Sequence, residues 1–118
     1  MAINPGMVCT SGKFWLVFPT AETANTAFCS GRRTIATFCA HETSAVTWAR
    51  TWSNQLKCSV TFLTPDDVIM VVEIVGEDLH RRIKIICCDG NFGWINITLY
   101  TDDQLDSMFR PIGQTTIG

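Results

Sequence analysis

No apolar run in the sequence approaches the roughly 18 residues that a membrane-spanning helix needs, so a transmembrane segment is not expected. Charge is also sparse: nine Lys and Arg residues nearly balance eleven Asp and Glu residues, for a formal net charge of −2. This balance disfavours a nucleic-acid-binding or anionic-lipid-binding surface. The N-terminal residues lack the basic stretch and apolar core of a secretory signal, so we expect a cytoplasmic chain.

The six cysteines raise the alternative of a secreted disulfide framework, because their number is even. Cys39, Cys87 and Cys88, however, lie within apolar, strand-like runs, where a free cysteine behaves as a small buried hydrophobic residue. We therefore predict reduced core thiols, as is usual in the cytoplasm. Asn96 begins an Asn-Ile-Thr glycosylation sequon, which would be unused in that compartment.

The length and the apolar content predict one compact domain spanning residues 1–118. The chain has 118 residues, of which 47% are hydrophobic, enough to build one core. A subdivision into a strand-strand-helix unit at 1–57 and a small barrel with a C-terminal helix at 58–112 is the alternative. The predicted class is mainly β (α+β), with about six short strands and two short helices in the order β-β-α-β-β-β-β-α.

In the first half, β-branched and aromatic residues predict strands at 13–18 and 34–40. Residues 20–31 are rich in Thr, Ala, Asn, Ser and Gly and are predicted to form a loop. Apolar residues then recur every three or four positions, which predicts a helix over 42–56. Trp48 and Trp52 would lie one turn apart on it and insert together into the core.

In the second half, strands are predicted at 59–63, 68–75, 82–88 and 93–98, with turns at 64–67 and 76–78. Seven of the eight residues at 68–75 are apolar, which predicts a strand buried on both faces. Asp89-Gly90 predicts a two-residue hairpin turn in which both residues have positive φ.

The last predicted element is a helix with a complete start signal. Thr101 is a suitable N-cap and Gln104 completes a capping box, while Tyr100 and Leu105 are placed for a hydrophobic staple. Leu105, Met108 and Phe109 form its apolar stripe, and a proline follows it at position 111. The polar tail at 113–118 is predicted to fray.

Residues 32–56 resemble the closing segment of a pleckstrin-homology domain. A strand with an aromatic-x-Ala end, Phe38-Cys39-Ala40, leads through a Glu/Ser-rich start into a helix carrying Trp48. The resemblance implies a helix that closes a small barrel. The basic loop that binds phosphoinositides in that family has no counterpart here, so lipid binding is not implied.

Residues 66–100 resemble the middle and end of a Src-homology-three barrel. The matching features are an Asp turn, the valine-rich strand that follows Asp67, a basic-apolar strand at 82–85, and Gly-x-x-Gly-Trp-Ile at 90–95. The resemblance implies a small barrel with an aromatic binding surface. The candidate binding residues are Phe92, Trp94 and Tyr100, although the early aromatic motif of the family's peptide groove is missing.

The sequence disfavours two kinds of chemistry. His41, Asp66 or Asp67 and a later cysteine could form a small viral-type cysteine/histidine hydrolase, but Cys87-Cys88-Asp89-Gly90 lacks the Gly-rich turn that presents an oxyanion hole. A zinc site is conceivable by residue type, but its spacings lack the paired short knuckles of structural zinc sites; its members would be Cys29, Cys39, His41 and Cys58.

The sequence therefore favours a non-enzymatic protein-interaction or assembly module, such as a subunit of a larger complex. Four tryptophans and seven phenylalanines exceed what a minimal core demands, and surplus aromatics at a surface mark an interface. A protein partner is expected and a homo-oligomer is left open. No cofactor, metal or nucleic acid is expected. The alternatives are the hydrolase fragment and a lipid-binding domain.

Overall fold

The structure, a computed structural model, describes residues 3–30, 34–77 and 79–112, in which it places eight strands and three helices. The helices are α1 (Ala21–Cys29), α2 (Glu42–Leu56) and α3 (Asp102–Met108). The strands are β1 (Val8–Thr10), β2 (Phe14–Val17), β3 (Phe38–Cys39), β4 (Thr61–Phe62), β5 (Val68–Glu77), β6 (Leu79–Cys87), β7 (Phe92–Asn96) and β8 (Arg110–Pro111). The predicted α+β, mainly β class is confirmed.

The strands form two antiparallel sheets. The large sheet has the order β7-β6-β5-β1-β8, and the small sheet has the order β3-β2-β4. The two sheets meet where Phe18 and Trp94 exchange both backbone hydrogen bonds, each 2.8 Å long. Elements from both halves of the sequence contribute to the large sheet, because β1 lies between β5 and β8.

Strand β2 separates two apolar clusters. Trp15 and Val17 point into an inner cluster, whereas Leu16 and Phe18 point into a second cluster, as period-two alternation requires. The inner cluster contains one face of the large sheet and the apolar stripe of α3, including Ile69, Val71, Ile83, Ile85, Ile95, Leu105 and Phe109. The second cluster contains the buried faces of α1 and α2, including Ala24, Ala27, Phe28, Ala49 and Trp52.

The predicted loop at 20–31 is wrong, because α1 occupies most of it. Thr20 caps α1: its hydroxyl accepts from Thr23 N at 3.0 Å, and Thr23 Oγ1 accepts from Thr20 N at 3.2 Å. Ala24, Ala27 and Phe28 are buried at helical spacing. A buried face made largely of alanine gave too weak an apolar signal to identify the helix in a Thr- and Asn-rich segment. The observed order also adds strands β1 and β8 to the prediction.

Two strand predictions need correction. The predicted strand at 34–40 is a 3₁₀ turn, Thr34–Ala36, followed by the two-residue strand β3. The run at 68–75 is not buried on both faces: Ile69 and Val71 are 2% and 0% exposed, whereas Met70 between them is 38% exposed. Apolar residues on both faces therefore do not mean that both faces are covered.

The hairpin predicted at Asp89-Gly90 joins β6 to β7, so its position is confirmed. Its turn type is different. Gly90 N donates to Cys87 O, and Cys87 N donates to Asn91 O, each at 2.9 Å, which defines a three-residue loop at 88–90. Gly90 has a φ of +89°, as the last residue of such a loop requires.

Helix α2 has the predicted bounds, and the predicted capping box of α3 is confirmed. Thr101 Oγ1 accepts from Gln104 N at 3.2 Å, and Gln104 Oε1 accepts from Thr101 N at 2.9 Å. Of the two α2 tryptophans, Trp52 is buried and donates to Ile35 O at 2.9 Å, while Trp48 is half-buried. Of the predicted turn at 76–78, residues 76 and 77 instead end strand β5, while residue 78, like the tail at 113–118, lies outside the described residues.

Candidate functional site

A row of apolar side chains crosses the large sheet on the face opposite the inner cluster. The strand registers place Val8 opposite Met70, Met70 opposite Ile86, and Ile86 opposite Phe92. The pairing of β1 with β8 continues to Ile112, whose N–H donates to Val8 O at 3.0 Å. These five residues, named the outer row, run in the order Ile112, Val8, Met70, Ile86, Phe92.

The outer row is substantially exposed. Phe92 is 56% exposed, and Val8, Met70 and Ile112 are 38–39% exposed, while Ile86 is half-buried. Their strand neighbours Cys9, Ile69, Val71 and Ile85 belong to the inner cluster, because successive side chains of a strand alternate between faces. One antiparallel sheet thus has a fully packed inner face and an outer face whose central row is also apolar. Directly opposed side chains on one face pack together, so the row is a continuous strip.

Polar and charged groups border this strip. Lys84 Nζ lies over the Phe92 ring, 4.9 Å from its centroid. A flanking row, one pair farther along the strands, contains Arg110, Thr10, Val68 and Cys88. Cys88 lies beside Val68, since the Cys88 thiol donates to Val68 O at 3.5 Å. An apolar centre with a charged border is the usual anatomy of a protein interface.

Helix α1 lies against another part of the large sheet. It packs against β6 and β7, where Arg82 Nη1 donates to Ala21 O at 3.5 Å. Trp94 packs against the second cluster, to which α1 contributes Phe28. The helix therefore covers the Trp94 part of the face and leaves the outer row open.

The three predicted binding residues do not lie together. Phe92 belongs to the outer row, and Trp94 lies two residues along the same face of β7 but is half-buried against the second cluster. Tyr100 packs against the inner cluster: its ring lies 5.7 Å from that of Phe38 and 6.0 Å from that of Trp15. Of the three, only Phe92 is an exposed contact residue of the strip.

Sequence reasoning missed four members of the strip, namely Val8, Met70, Ile86 and Ile112. Met70 and Ile86 lie in strands as predicted, but the composition of residues 68–75 predicts burial of both faces. Val8 and Ile112 lie in or next to strands of only two or three residues, flanked by Gly and Pro. One signal for the strip is present in the sequence. Strand β5 has more apolar residues than one buried face needs, and the additional ones are at positions 68, 70 and 72.

A cleft of about 400 Å³ adjoins the Phe92 end of the strip, between β4 and the β6–β7 hairpin. Its carboxylates already have structural partners: Asp67 Oδ2 accepts from Thr64 N at 2.8 Å, and both Asp89 oxygens accept from Asn91 at 3.0 Å. Burial, together with Asp89 and Asp67, raises the pKa of the Cys87 thiol in its lining. The cleft therefore holds a neutral thiol between two turn-stabilising carboxylates.

The proposed hydrolase residues are dispersed. His41 is exposed at the N-cap of α2, and its side chain makes no cap hydrogen bond. The cysteine and histidine that do approach each other are Cys29 and His80, whose Sγ and Nδ1 lie 3.9 Å apart. Cys29 is the exposed last residue of α1, so it lies at the helix C-terminus and not at an N-terminus, where backbone N–H groups could form an oxyanion hole.

The described residues form neither a metal site nor a membrane-spanning helix, and the sequon asparagine is inaccessible. Within residues 3–30, 34–77 and 79–112, no group of three or more His, Cys, Asp or Glu side chains is arranged to hold a metal ion. None of the helices in this part of the chain is long and apolar enough to span a bilayer. Asn96, the acceptor of the glycosylation sequon, is fully buried and so cannot carry a glycan in the folded chain.

No family model matches the chain, and neither a curated protein nor a solved structure matches it. The resemblances to pleckstrin-homology and Src-homology-three domains therefore stay predictions. The function of the chain has to be inferred from its own geometry, and above all from the outer row.

Proposed function

We propose that the chain is a protein-interaction module that binds a partner protein through the outer row. The observation that supports this proposal is the register: five apolar side chains from five adjacent extended segments align on one uncovered face. Isolated exposed apolar residues are common on protein surfaces, but a contiguous strip of them typically marks an interface. The alignment makes the outer row a strip of this kind.

The energetics favour a partner. Covering a large aliphatic or aromatic side chain contributes about 1.5–3 kcal/mol relative to leaving it in water. The outer row is already ordered by the sheet, so a partner would gain this term with little additional loss of backbone entropy. Phe92 is the best anchor, because it is the largest and most exposed member and aromatic residues dominate interface energetics.

The hydrolase alternative has one observation in its favour, the approach of Cys29 to His80. A nucleophilic cysteine needs a depressed pKa or a well-placed base and an adjacent oxyanion hole. Cys29 instead lies at a helix C-terminus, and burial raises the pKa of Cys9, Cys39, Cys58 and Cys87. These features give the interaction module more support than the enzyme.

The test uses two matched substitutions. Met70→Lys places a charge in the centre of the outer row, and Val46→Lys adds the same charge on the outward side of α2, where Val46 is also 38% exposed. Each variant and the unaltered chain are immobilised and used to capture proteins from a lysate, with quantitative mass spectrometry as the readout. We expect a defined set of proteins to be lost with Met70→Lys and retained with Val46→Lys.

Equal capture by all three chains would contradict the proposal. Co-sedimentation with vesicles of neutral and of anionic lipid separates a lipid-binding domain from a protein-interaction module. Vesicle binding that is lost with Met70→Lys, with unchanged protein capture, would instead support a lipid-binding face. Circular dichroism of each variant checks that the fold is retained.

A further inference from the structure

We infer that a second copy of this chain is the partner of the outer row, and that two copies pack their large sheets face to face about a twofold axis parallel to the strands. This inference rests on the proposed function, because it names the partner for the same surface. It is carried by the distribution of charge at the two ends of the strip.

On the side of the flanking row, the two ends of the strip carry opposite charges; Lys84 borders the Phe92 end from the other side, one pair away along β6. Arg110 lies in the flanking row at the Ile112 end, is exposed, and makes no ion pair with another described residue. Asp89 lies in the hairpin loop at the Phe92 end and is also exposed. The hydrogen-bond donors to its carboxylate are the neutral backbone and side-chain amides of Asn91, so its negative charge has no cationic partner among them.

A twofold interface must be self-complementary, since each residue meets a residue of the same surface. An axis parallel to the strands through Met70 exchanges the two ends of the outer row. Phe92 of one copy then faces Ile112 of the other, and Ile86 faces Val8. The same operation brings Arg110 of each copy towards Asp89 of the other, so two opposite-charge contacts form together.

The alternative axis, along the outer row, gives a poorer arrangement. It would place Phe92 against Phe92 and leave Arg110 and Asp89 without opposite charges. Either axis keeps the strand lines of the two sheets nearly aligned, which is the common geometry of two sheets packed about 10 Å apart. The charges therefore decide in favour of the axis parallel to the strands.

Helix α1 is compatible with this packing. It lies beyond the outer row, against β6 and β7, which have nine and five residues, whereas β1 and β8 have only three and two. The axis exchanges these two sides of the sheet. Helix α1 of each copy therefore faces the β1–β8 side of the other copy's sheet, where the strands are shorter and leave more space for the helix.

The experiment is a charge exchange monitored by sedimentation equilibrium over a wide concentration range. The unaltered chain should reach twice the monomer mass. In a dimer of the Arg110→Glu variant, the introduced glutamate faces Asp89 at both contacts. In a dimer of the Asp89→Lys variant, the introduced lysine faces Arg110 at both contacts. Because repulsion replaces attraction at both contacts, each single variant should raise the dimer Kd about tenfold or more.

An equimolar mixture of the two single variants is the decisive sample. In a mixed dimer, the introduced glutamate of one copy meets the introduced lysine of the other, and the original Asp89 and Arg110 meet at the second contact. The mixture should therefore dimerise with nearly the affinity of the unaltered chain. Met70→Lys should be monomeric and Val46→Lys dimeric. Asp89→Asn controls for the turn bonds of Asp89, and thermal unfolding checks the fold of each variant.

A monomeric unaltered chain over the whole range would overturn the inference, as would a dimer that survives Met70→Lys. A mixture that dimerises no better than the single variants would overturn the proposed axis and hence the inference. These outcomes are separable from failure of the proposed function. A monomeric chain that still loses captured proteins on Met70→Lys would retain the interaction module and exclude the self-association.

Discussion

Gly93 in β7 lies against Val17 in β2 so closely that a Cβ built on residue 93 would overlap Cγ1 of Val17. This approach occurs next to the point where Phe18 and Trp94 join the two sheets. Gly93 points towards the inner cluster, in which Val17 is buried. The second glycine of the Gly-x-x-Gly-Trp-Ile motif thus has a packing role here: it allows β2 to lie directly on β7.

Gly93→Ala should destabilise the fold by about 1–3 kcal/mol, because the added methyl group would overlap Val17 Cγ1 unless the buried Val17 side chain or strand β2 shifts. Urea unfolding followed by tryptophan fluorescence measures this change as a lower midpoint at constant m-value. Gly90→Asn is the control, since nothing lies within 4 Å of a Cβ at Gly90 and Asn tolerates positive φ. Equal midpoints for Gly93→Ala and the unaltered chain would contradict the packing role.

Thr20→Ala should cost about 1 kcal/mol of stability, because it removes the oxygen that accepts from Thr23 N at the start of α1. The same reasoning and magnitude apply to Thr101→Ala at α3. Thr47→Ala is the matched control: its exposed hydroxyl bonds to a carbonyl within α2, and its loss should change stability by less than about 0.5 kcal/mol. If Thr20→Ala behaved like Thr47→Ala, the capping role of Thr20 would be wrong.

The parts of the fold that could be predicted are those with a local cause. Thr101 and Gln104 cap a helix through bonds three residues apart, and Asp89-Gly90 turns the chain within a few residues. The bounds of α2 follow from its own periodicity. In each case the residues that determine the structure are also close in sequence.

The outer row could not be predicted because its cause is not local. Which face of β5 is covered depends on what packs against it, and the composition of residues 68–75 does not contain that information. The row also depends on pairing across long separations, such as Val8 with Met70. The aromatic ring and the resemblance predict Phe92 and Tyr100 alike as binding residues, whereas the fold exposes Phe92 and packs Tyr100 against the inner cluster.

The stability of the folded chain should fall between about pH 9 and 11 in part because of Cys9. Burial raises the pKa of this fully buried thiol to about 11. Over this interval the unfolded chain loses the thiol proton while the folded chain retains it, so rising pH favours unfolding. Stabilisation by the neutral thiol is complete below pH 9, and its loss by pH 11 amounts to about 2 kcal/mol.

Urea unfolding of the unaltered chain and of Cys9→Ala at several pH values measures this contribution under reducing conditions. Other groups that titrate in this range are common to both chains. The difference in unfolding free energy between the two should therefore shrink or reverse as the pH rises. A difference that stays constant from pH 8 to pH 11 would show that Cys9 titrates normally in the folded chain.

Thiol modification should divide the six cysteines by exposure. Cys29 and Cys88 are exposed, whereas Cys9 and Cys39 are buried and burial raises the pKa of both thiols. With iodoacetamide at neutral pH and peptide mass spectrometry, Cys29 and Cys88 should be labelled first, and Cys9 and Cys39 only on unfolding. For an interaction module, the rates of Cys29 and Cys88 should agree within about tenfold, since neither thiol would serve as an activated nucleophile.

His80→Gln then tests whether the imidazole near Cys29 has a chemical role. If the Cys29–His80 pair has no catalytic function, Cys29 should keep its labelling rate and the pH profile of that rate when the imidazole is replaced by a neutral amide. Cys88→Ser in the same background isolates the rate of Cys29. A Cys29 that reacts about 100-fold faster than Cys88, and loses that advantage in His80→Gln, would have an activated thiol. That result would contradict the non-enzymatic assignment and make the α1–β6 contact, rather than the outer row, the functional centre.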